Sequence, residues 1–218
     1  MLLETFRKEG YFILRDGISR LECERAKDFV LESLDPLIGP AELEVDVGYS
    51  GAPGDEAAEG GKTPRRLLHA YSRSVIMREL ALNERVKSVV SELMETQDVM
   101  LSQCHHNCVM TKFPDHSSSS AWHQDIRYWS YDLPELVSVW FALDEENEGN
   151  GALRVIPGSH AKDLDRGDFD KDLFFREDRG SNRDLIRQKI TLELNAGDLL
   201  FFHCRLLHSA DRNTSGQV

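Results

Sequence analysis

His123 and Asp125, in Ala121-Trp122-His123-Gln124-Asp125, together with the distant His208, have the side-chain types of a divalent-metal site. On a β-strand, positions i and i+2 point to the same face. A strand through this segment therefore presents an imidazole nitrogen and a carboxylate oxygen toward one point. His208, delivered by another strand, adds a second imidazole, giving two nitrogens and one oxygen on one side of an ion. That facial set, with its other positions open, suits non-haem Fe(II) oxygen chemistry. The pattern predicts an iron enzyme, a hydroxylase. A lone His-x-Asp also arises by accident, as a surface pair on an edge strand. His208 adds weight because it follows the apolar run Leu199-Leu200-Phe201-Phe202, where a ring nitrogen needs a partner. His203 competes with it; on one regular strand it would face the other way, and a turn between the two would spoil that inference. His160, after Pro157-Gly158-Ser159, reads as structural.

Cys104-His105-His106-Asn107-Cys108 invites a zinc reading. Structural zinc sites draw on two well-separated ligand pairs, and no second pair is well placed here. On a strand, Cys104, His106 and Cys108 share one face while His105 and Asn107 take the other, so His106 is better read as lining a pocket.

The elements that must hold these residues divide the chain near residue 97. Residues 4–15 suggest a short helix running into a strand, Tyr11-Phe12-Ile13-Leu14. Ser19 and Glu22 form a capping-box pattern for a helix over 20–34. Its buried stripe is Ala26, Phe29, Val30, Ser33, Leu34 and Leu37, and Pro36 ends it near Asp35. A second amphipathic helix is predicted over 83–95, with Val86, Val89, Val90, Leu93 and Met94 inward. Residues 48–64, rich in Gly, Ala, Pro and Glu, are expected to form a mobile loop. Beyond residue 97, short β-rich runs alternate with turn clusters at about 98–113, 121–127, 136–144, 151–156, 189–194, 198–203 and 205–210. That texture predicts a sandwich or barrel, the jelly roll included.

Composition narrows the classes. At 218 residues one domain is expected. A net charge of −12 argues against general nucleic-acid binding, which rests on Lys and Arg neutralising phosphates. No stretch approaches the roughly 20 apolar residues of a membrane span, and the N-terminus lacks a signal-peptide pattern. Four cysteines are too few for a disulfide scaffold. A cytoplasmic protein without nucleic-acid or membrane partners is expected; oligomeric state is not legible.

Several segments, in order, resemble the phytanoyl-CoA dioxygenase family of Fe(II)- and 2-oxoglutarate-dependent oxygenases. They are Thr111-Lys112-Phe113-Pro114-Asp115, Trp122 to Trp129, Val139-Trp140-Phe141-Ala142-Leu143, Asn150 to His160, and Gly197 to His203 running on to His208-Ser209. The resemblance implies a mainly β fold, a double-stranded β-helix (jelly roll, cupin-like), with N-terminal helices packed on one sheet. It divides a single domain 1–218 into a helical part, about 1–97, and a jelly-roll core, about 98–218. It implies that His123, Asp125 and His208 hold iron, that Lys112 contacts the 2-oxoglutarate co-substrate, that Trp140 lines the same pocket, and that Gln124 is a pocket residue. The implied chemistry is oxidative decarboxylation with O2, releasing succinate and CO2 and hydroxylating a small organic substrate. Halogenating relatives lack the carboxylate, so Asp125 favours hydroxylation.

One family feature is missing. The family's arginine, about eleven positions after the distal histidine, pairs with the far carboxylate of 2-oxoglutarate in a bidentate contact that lysine does not reproduce. That position falls just past Val218, together with the last strand, and Arg212 comes too early to replace it. A longer protein is expected. The missing arginine keeps open a non-catalytic jelly-roll binding protein that has lost 2-oxoglutarate recognition, beside a divalent-metal hydrolase or isomerase. Substrate identity is not legible. Arg127, Tyr128, Trp129 and Tyr131 line a substrate mouth or serve as packing aromatics with a surface arginine, and residues 48–64 and 161–185 are candidate lids.

Overall fold

A computed structural model describes residues 1–104 and 106–216. His105 and Val218, both considered above, lie outside the described residues. In chain order the elements begin with α1 (Leu2–Glu9), β1 (Tyr11–Leu14), α2 (Arg20–Leu34), β2 (Ala41–Leu43), α3 (Glu44–Val47), β3 (Pro64–Leu68), α4 (Ala70–Arg73), α5 (Val75–Ala81) and α6 (Glu84–Leu93). There follow β4 (Cys108–Met110), β5 (Ser120–His123), β6 (Val137–Phe141), β7 (Leu153–Val155), α7 (Gly180–Ile186), β8 (Ile190–Thr191), β9 (Leu199–His203) and β10 (His208–Ala210). The strands form three antiparallel sheets with orders β1-β9-β6, β5-β10-β7-β8 and β2-β3-β4. Among the described residues no helix is long and apolar enough to cross a membrane.

The capping box that opens α2 is present: the Ser19 hydroxyl accepts from the Glu22 N–H while the Glu22 carboxylate takes the Ser19 N–H at 2.7 Å. At α6 the Asn83 side chain caps the helix by accepting from the Arg85 N–H. Strand β9 positions most of the interior. Its residues alternate, so Leu199 and Phe201 face the helices, packing with Phe6, Ala26, Val30, Met77 and Val86. Leu200 and Phe202 face the other way, packing with Leu153, Val155 and Ala210 of the second sheet and with Leu194 and Leu206. Buried on both faces, β9 reads as a continuous apolar run, and each large side chain so buried contributes about 1.5–3 kcal/mol. The helices thus pack against the β1-β9-β6 sheet, and Leu67 of β3, Ala41 of β2 and Val109 of β4 join the same cluster.

The turn before β9 is fixed by two residues. Gly197 sits at φ +97°, where a Cβ would meet the Ile18 carbonyl oxygen at 2.9 Å, so only glycine fits without strain. Asp198, almost fully buried, accepts hydrogen bonds from the N–H groups of Asn195 and Asp16 and from Arg15.

Two expectations are corrected. Among the described residues, the β-rich run at 98–113 is a strand only over Cys108–Met110. The loop expected at 48–64 is a series of hydrogen-bonded turns over 49–63, flanked by strands β2 and β3, which were not foreseen. Most important, Asp125 is not on a strand: β5 ends at His123 and Asp125 opens a 3-10 turn, Asp125–Tyr128.

Candidate metal centre

His123 and Asp125 still converge because Gln124 between them stays extended, at φ −114° and ψ 137°. The pleat therefore runs one residue beyond the ladder before the chain turns. The turn is fastened to the β9–β10 connection from two sides: the Ile126 N–H donates to the Cys204 carbonyl at 2.9 Å, and Gln124 Nε2 donates to the Arg205 carbonyl at 2.6 Å. That connection breaks the chain between His203 and His208, sending them to different sheets. Antiparallel register then sets His208 directly across from His123, with ring centroids 4.2 Å apart. Asp125 Oδ1 lies 3.4 Å from His208 Nε2 and 3.8 Å from His123 Nε2. One ligand atom from each of the three residues lies within 4.8 Å of the others, the one such group of His, Cys, Asp and Glu among the described residues. All three are buried, at 8%, 1% and 6% exposure for His123, Asp125 and His208.

Hydrogen bonding sets which atoms are offered. His123 Nδ1 lies 2.8 Å from the Ala121 carbonyl, and His208 Nδ1 lies 3.0 Å from the Leu206 carbonyl. A carbonyl only accepts, so each Nδ1 carries the proton and each Nε2 turns a lone pair inward. Ser138, on β6, donates from Oγ to Asp125 Oδ2 at 2.8 Å. Asp125 Oδ1 accepts no hydrogen bond from a described residue, although the carboxylate is buried. Burial and the neighbouring His208 push the His123 pKa down to about 3. Burial opposes ionisation of Asp125, yet His208, His106 and His123 hold its carboxyl well below the usual range. Burial likewise opposes a charge on His208, and Asp125 overrides it and raises that pKa. A buried, ionised carboxylate oxygen beside two Nε2 atoms fits a divalent cation, which would take the place of the proton that Asp125 favours on His208 and satisfy all three atoms. Among the described residues no fourth His, Cys, Asp or Glu joins the set, which leaves coordination positions open.

His106 comes beside the site, its Nε2 3.6 Å from Asp125 Oδ1 and its ring 4.6 Å from that of Tyr128. Cys104 is exposed and joins no metal-binding group among the described residues. Trp140 follows Ser138 by two residues on β6 and so shares its face; its indole donates to Glu146 at 2.6 Å. Lys112 is partly buried, which lowers its pKa to about 8, and its ammonium donates to the Asp211 carbonyl and lies 3.4 Å from that of Ser118. Gln124 serves the fastening described above. His203 packs at a tilt against His160, ring centroids 5.3 Å apart, and His160 contacts the Arg7 carbonyl, away from the metal residues. Tyr128 faces His123 edge-on at 6.5 Å, while Arg127 and Trp129 flank it.

Four contributors were not foreseen. Ser138 and Phe202, the latter 5.1 Å from the His208 ring, lie on strands whose register alone brings them here. Phe174 reaches to 6.1 Å from His123 because the Phe175 N–H donates to the Trp122 carbonyl at 2.7 Å, laying the 161–185 segment beside β5. Arg66, on β3, is the fourth.

The family model described as phytanoyl-CoA dioxygenase (PhyH) matches residues 6–218. Among curated proteins, phytanoyl-CoA dioxygenase 1 of Oryza sativa subsp. japonica is 26% identical over 140 residues, 64% of this chain and 48% of the relative. A probable phytanoyl-CoA dioxygenase of Caenorhabditis elegans is 24% identical over 221 residues, 95% of this chain and 68% of the relative. Peroxisomal phytanoyl-CoA dioxygenase of Bos taurus is 28% identical over 119 residues, 50% of this chain and 35% of the relative. The matches therefore span about half or less of the rice and bovine proteins. Among solved structures, EctD from S. alaskensis with bound Fe superposes with a TM-score of 0.76 at 21% identity, over 99% of this chain and 71% of that one. The epimerase SnoN in complex with Fe3+, alpha ketoglutarate and nogalamycin RO gives a TM-score of 0.70 at 20% identity, over 99% of this chain and 78% of that one. The folds are shared, and this chain belongs to the phytanoyl-CoA dioxygenase family.

Proposed function

We propose that this chain is a non-haem Fe(II)- and 2-oxoglutarate-dependent dioxygenase that hydroxylates a small organic substrate, with release of succinate and CO2. The observation that carries this reading is the orphaned Oδ1 of Asp125 between two inward-turned Nε2 atoms. His123, Asp125 and His208 would hold iron, leaving positions for the keto acid and O2. Iron so bound supplies the oxidative decarboxylation and the C–H oxidation. The chain's own residues do the rest. The Ala121 and Leu206 carbonyls hold the imidazole tautomers, Ser138 orients the carboxylate, and Phe174 and Phe202 keep water from the rings. Trp140, on the Ser138 face, lines the co-substrate side of the site, with Lys112 behind it. Gln124 acts through the fastening and His106 borders the iron. Arg127, Tyr128 and Trp129 form the substrate mouth.

The architecture that goes with this reading is a single jelly-roll domain, the first two sheets being its two walls. With four free cysteines the chain suits a reducing compartment such as the cytoplasm. Anaerobically Fe(II)-loaded protein, given 2-oxoglutarate, should form succinate only after O2 is admitted, and His123→Ala or Asp125→Ala should abolish it. Equal turnover in those variants, or activity with zinc and no oxygen, would refute the reading. A second reading, a binding protein without catalysis, is favoured by one observation: the Lys112 ammonium is already engaged by backbone carbonyls. Failure of iron-loaded protein to bind 2-oxoglutarate in a calorimetric titration would support it.

A further inference from the structure

Two arginines at the mouth of the site carry N–H groups that no described residue satisfies. Arg127 lies in the 3-10 turn that Asp125 opens. Its Nη2 donates to the Asp172 carbonyl, its Cζ stands 3.8 Å over the Phe174 ring and 5.2 Å over the Tyr128 ring, and its Nη1 is buried without an acceptor. Backbone and aromatic contacts hold the guanidinium in place but leave its charge uncompensated, since it forms no salt bridge with a described carboxylate.

Arg66 approaches from β3, whose ladder with β4 sets Cys108–Met110 beside it. Its Nε is also buried without a hydrogen bond, although Glu42 lies 3.4 Å away; that carboxylate is shared with Arg65 at 3.1 Å. Arg66 and Tyr128 lie close enough to perturb each other's ionisation. Tyr128 in turn stands edge-on to His106 at 4.6 Å and to His123 at 6.5 Å, linking both arginines to the metal-ligating side chains.

Buried N–H groups are costly to leave without acceptors, and native proteins rarely do so without a reason. A guanidinium fork matches carboxylate and phosphate oxygens. In a chain of net charge −12, two such groups in one aromatic-lined mouth mark a local attraction for anions. We infer that Arg66 and Arg127 form an anion-binding subsite around Tyr128, so that the substrate carries a carboxylate or phosphate joined to an apolar body. The apolar body follows from the neighbouring rings, Tyr49 and Phe174 meeting edge-on at 5.8 Å. The substrate assignment rests on the oxygenase reading; the anion site itself does not.

Equilibrium dialysis of the metal-free chain against benzoate, phenyl phosphate and benzamide, in low-chloride buffer, tests this without an ion to bind the acid. At least one anion should bind and benzamide should not; the tighter anion identifies carboxylate or phosphate as the recognised group. Arg127→Gln and Arg66→Gln should each weaken binding about tenfold or more. Arg127→Lys should keep most phosphate binding while losing most carboxylate binding, since lysine retains charge but not the fork. Arg20→Gln, on the exposed face of α2, should change nothing. Equal binding of benzamide and benzoate, no binding of either anion, or unaltered binding in both glutamine variants would overturn the inference. Thermal melts check folding; if Arg127→Gln frees the 170–176 segment and unfolds, Arg66→Gln decides. Anion binding that persists in a chain unable to hold Fe(II) would support the subsite while removing the oxygenase reading.

Discussion

Replacing Ser138 with alanine tests whether Asp125 is held for a metal. Ser138 Oγ donates to Asp125 Oδ2 at 2.8 Å, and the carboxylate is 1% exposed. A hydrogen bond to a charged group contributes about 1.5–3 kcal/mol net. Part of that loss is common to the metal-free and metal-loaded forms and cancels from the binding equilibrium. What does not cancel is orientation: without Ser138 the carboxylate rotates, and Oδ1 no longer waits opposite the two Nε2 atoms. Partners of this kind govern about 10–100-fold in metal affinity, which is about 1.4–2.7 kcal/mol. With the cancellation, the lower end is expected, about tenfold. Anaerobic titration with Co(II), followed by its visible absorption, reads the affinity directly. Ser138→Thr keeps the hydroxyl and should stay within about threefold of the parent. If Ser138→Ala binds Co(II) as tightly as the parent while melting normally, the argument that this hydrogen bond aims Asp125 at a cation is wrong.

Further outcomes follow from the fold. Asp198→Ala leaves the N–H groups of Asn195 and Asp16 without acceptors, and should lower the urea-unfolding free energy by about 2–5 kcal/mol. Leu200→Ala removes a fully buried side chain between the two sheets and should cost about 2–5 kcal/mol in the same assay. Burial and the neighbouring His160 hold the His203 pKa at about 4, below its ordinary 6.5. The unfolded chain then binds the extra proton between those values, so stability falls as pH drops from about 6.5 to about 4. His203→Gln should flatten the dependence of the urea midpoint on pH in that window, and parallel curves for the two proteins would show that His203 is not the group responsible.

What could be read from the chain, and what could not, follows from the range of each interaction. The α2 capping box joins residues three apart and is legible. The apolar run of β9 is legible because its own side chains fill both interiors. Strands β2 and β3 are not. Pro64-Arg65-Arg66 looks like polar loop, and Arg65 tolerates burial only because Glu42 and Glu44, more than twenty positions earlier, reach it at 3.1 and 3.7 Å. The strand assigned to Asp125 failed for a related reason. The chain turns after Gln124, where Ile126 and Gln124 meet the carbonyls of Cys204 and Arg205, a contact between segments some eighty residues apart.

The metal residues and the mouth differ in how much their chemistry restricts the residue type. Holding a cation with open positions takes imidazole and carboxylate groups, and few other side chains substitute. His123, Asp125 and His208 therefore stand out even when the local geometry is misjudged. Ser138 supplies one hydroxyl, a group found on any polar strand, and only the register of β6 with β9, Val137 opposite His203, places it. Arg127 and Tyr128 are equally common as surface cover, and at sequence level that reading and a substrate mouth are balanced. One observation sets them apart: Nη1 of Arg127 and Nε of Arg66 are sealed from solvent, yet neither makes a hydrogen bond to a described residue. A surface arginine never meets that condition, because water always answers it.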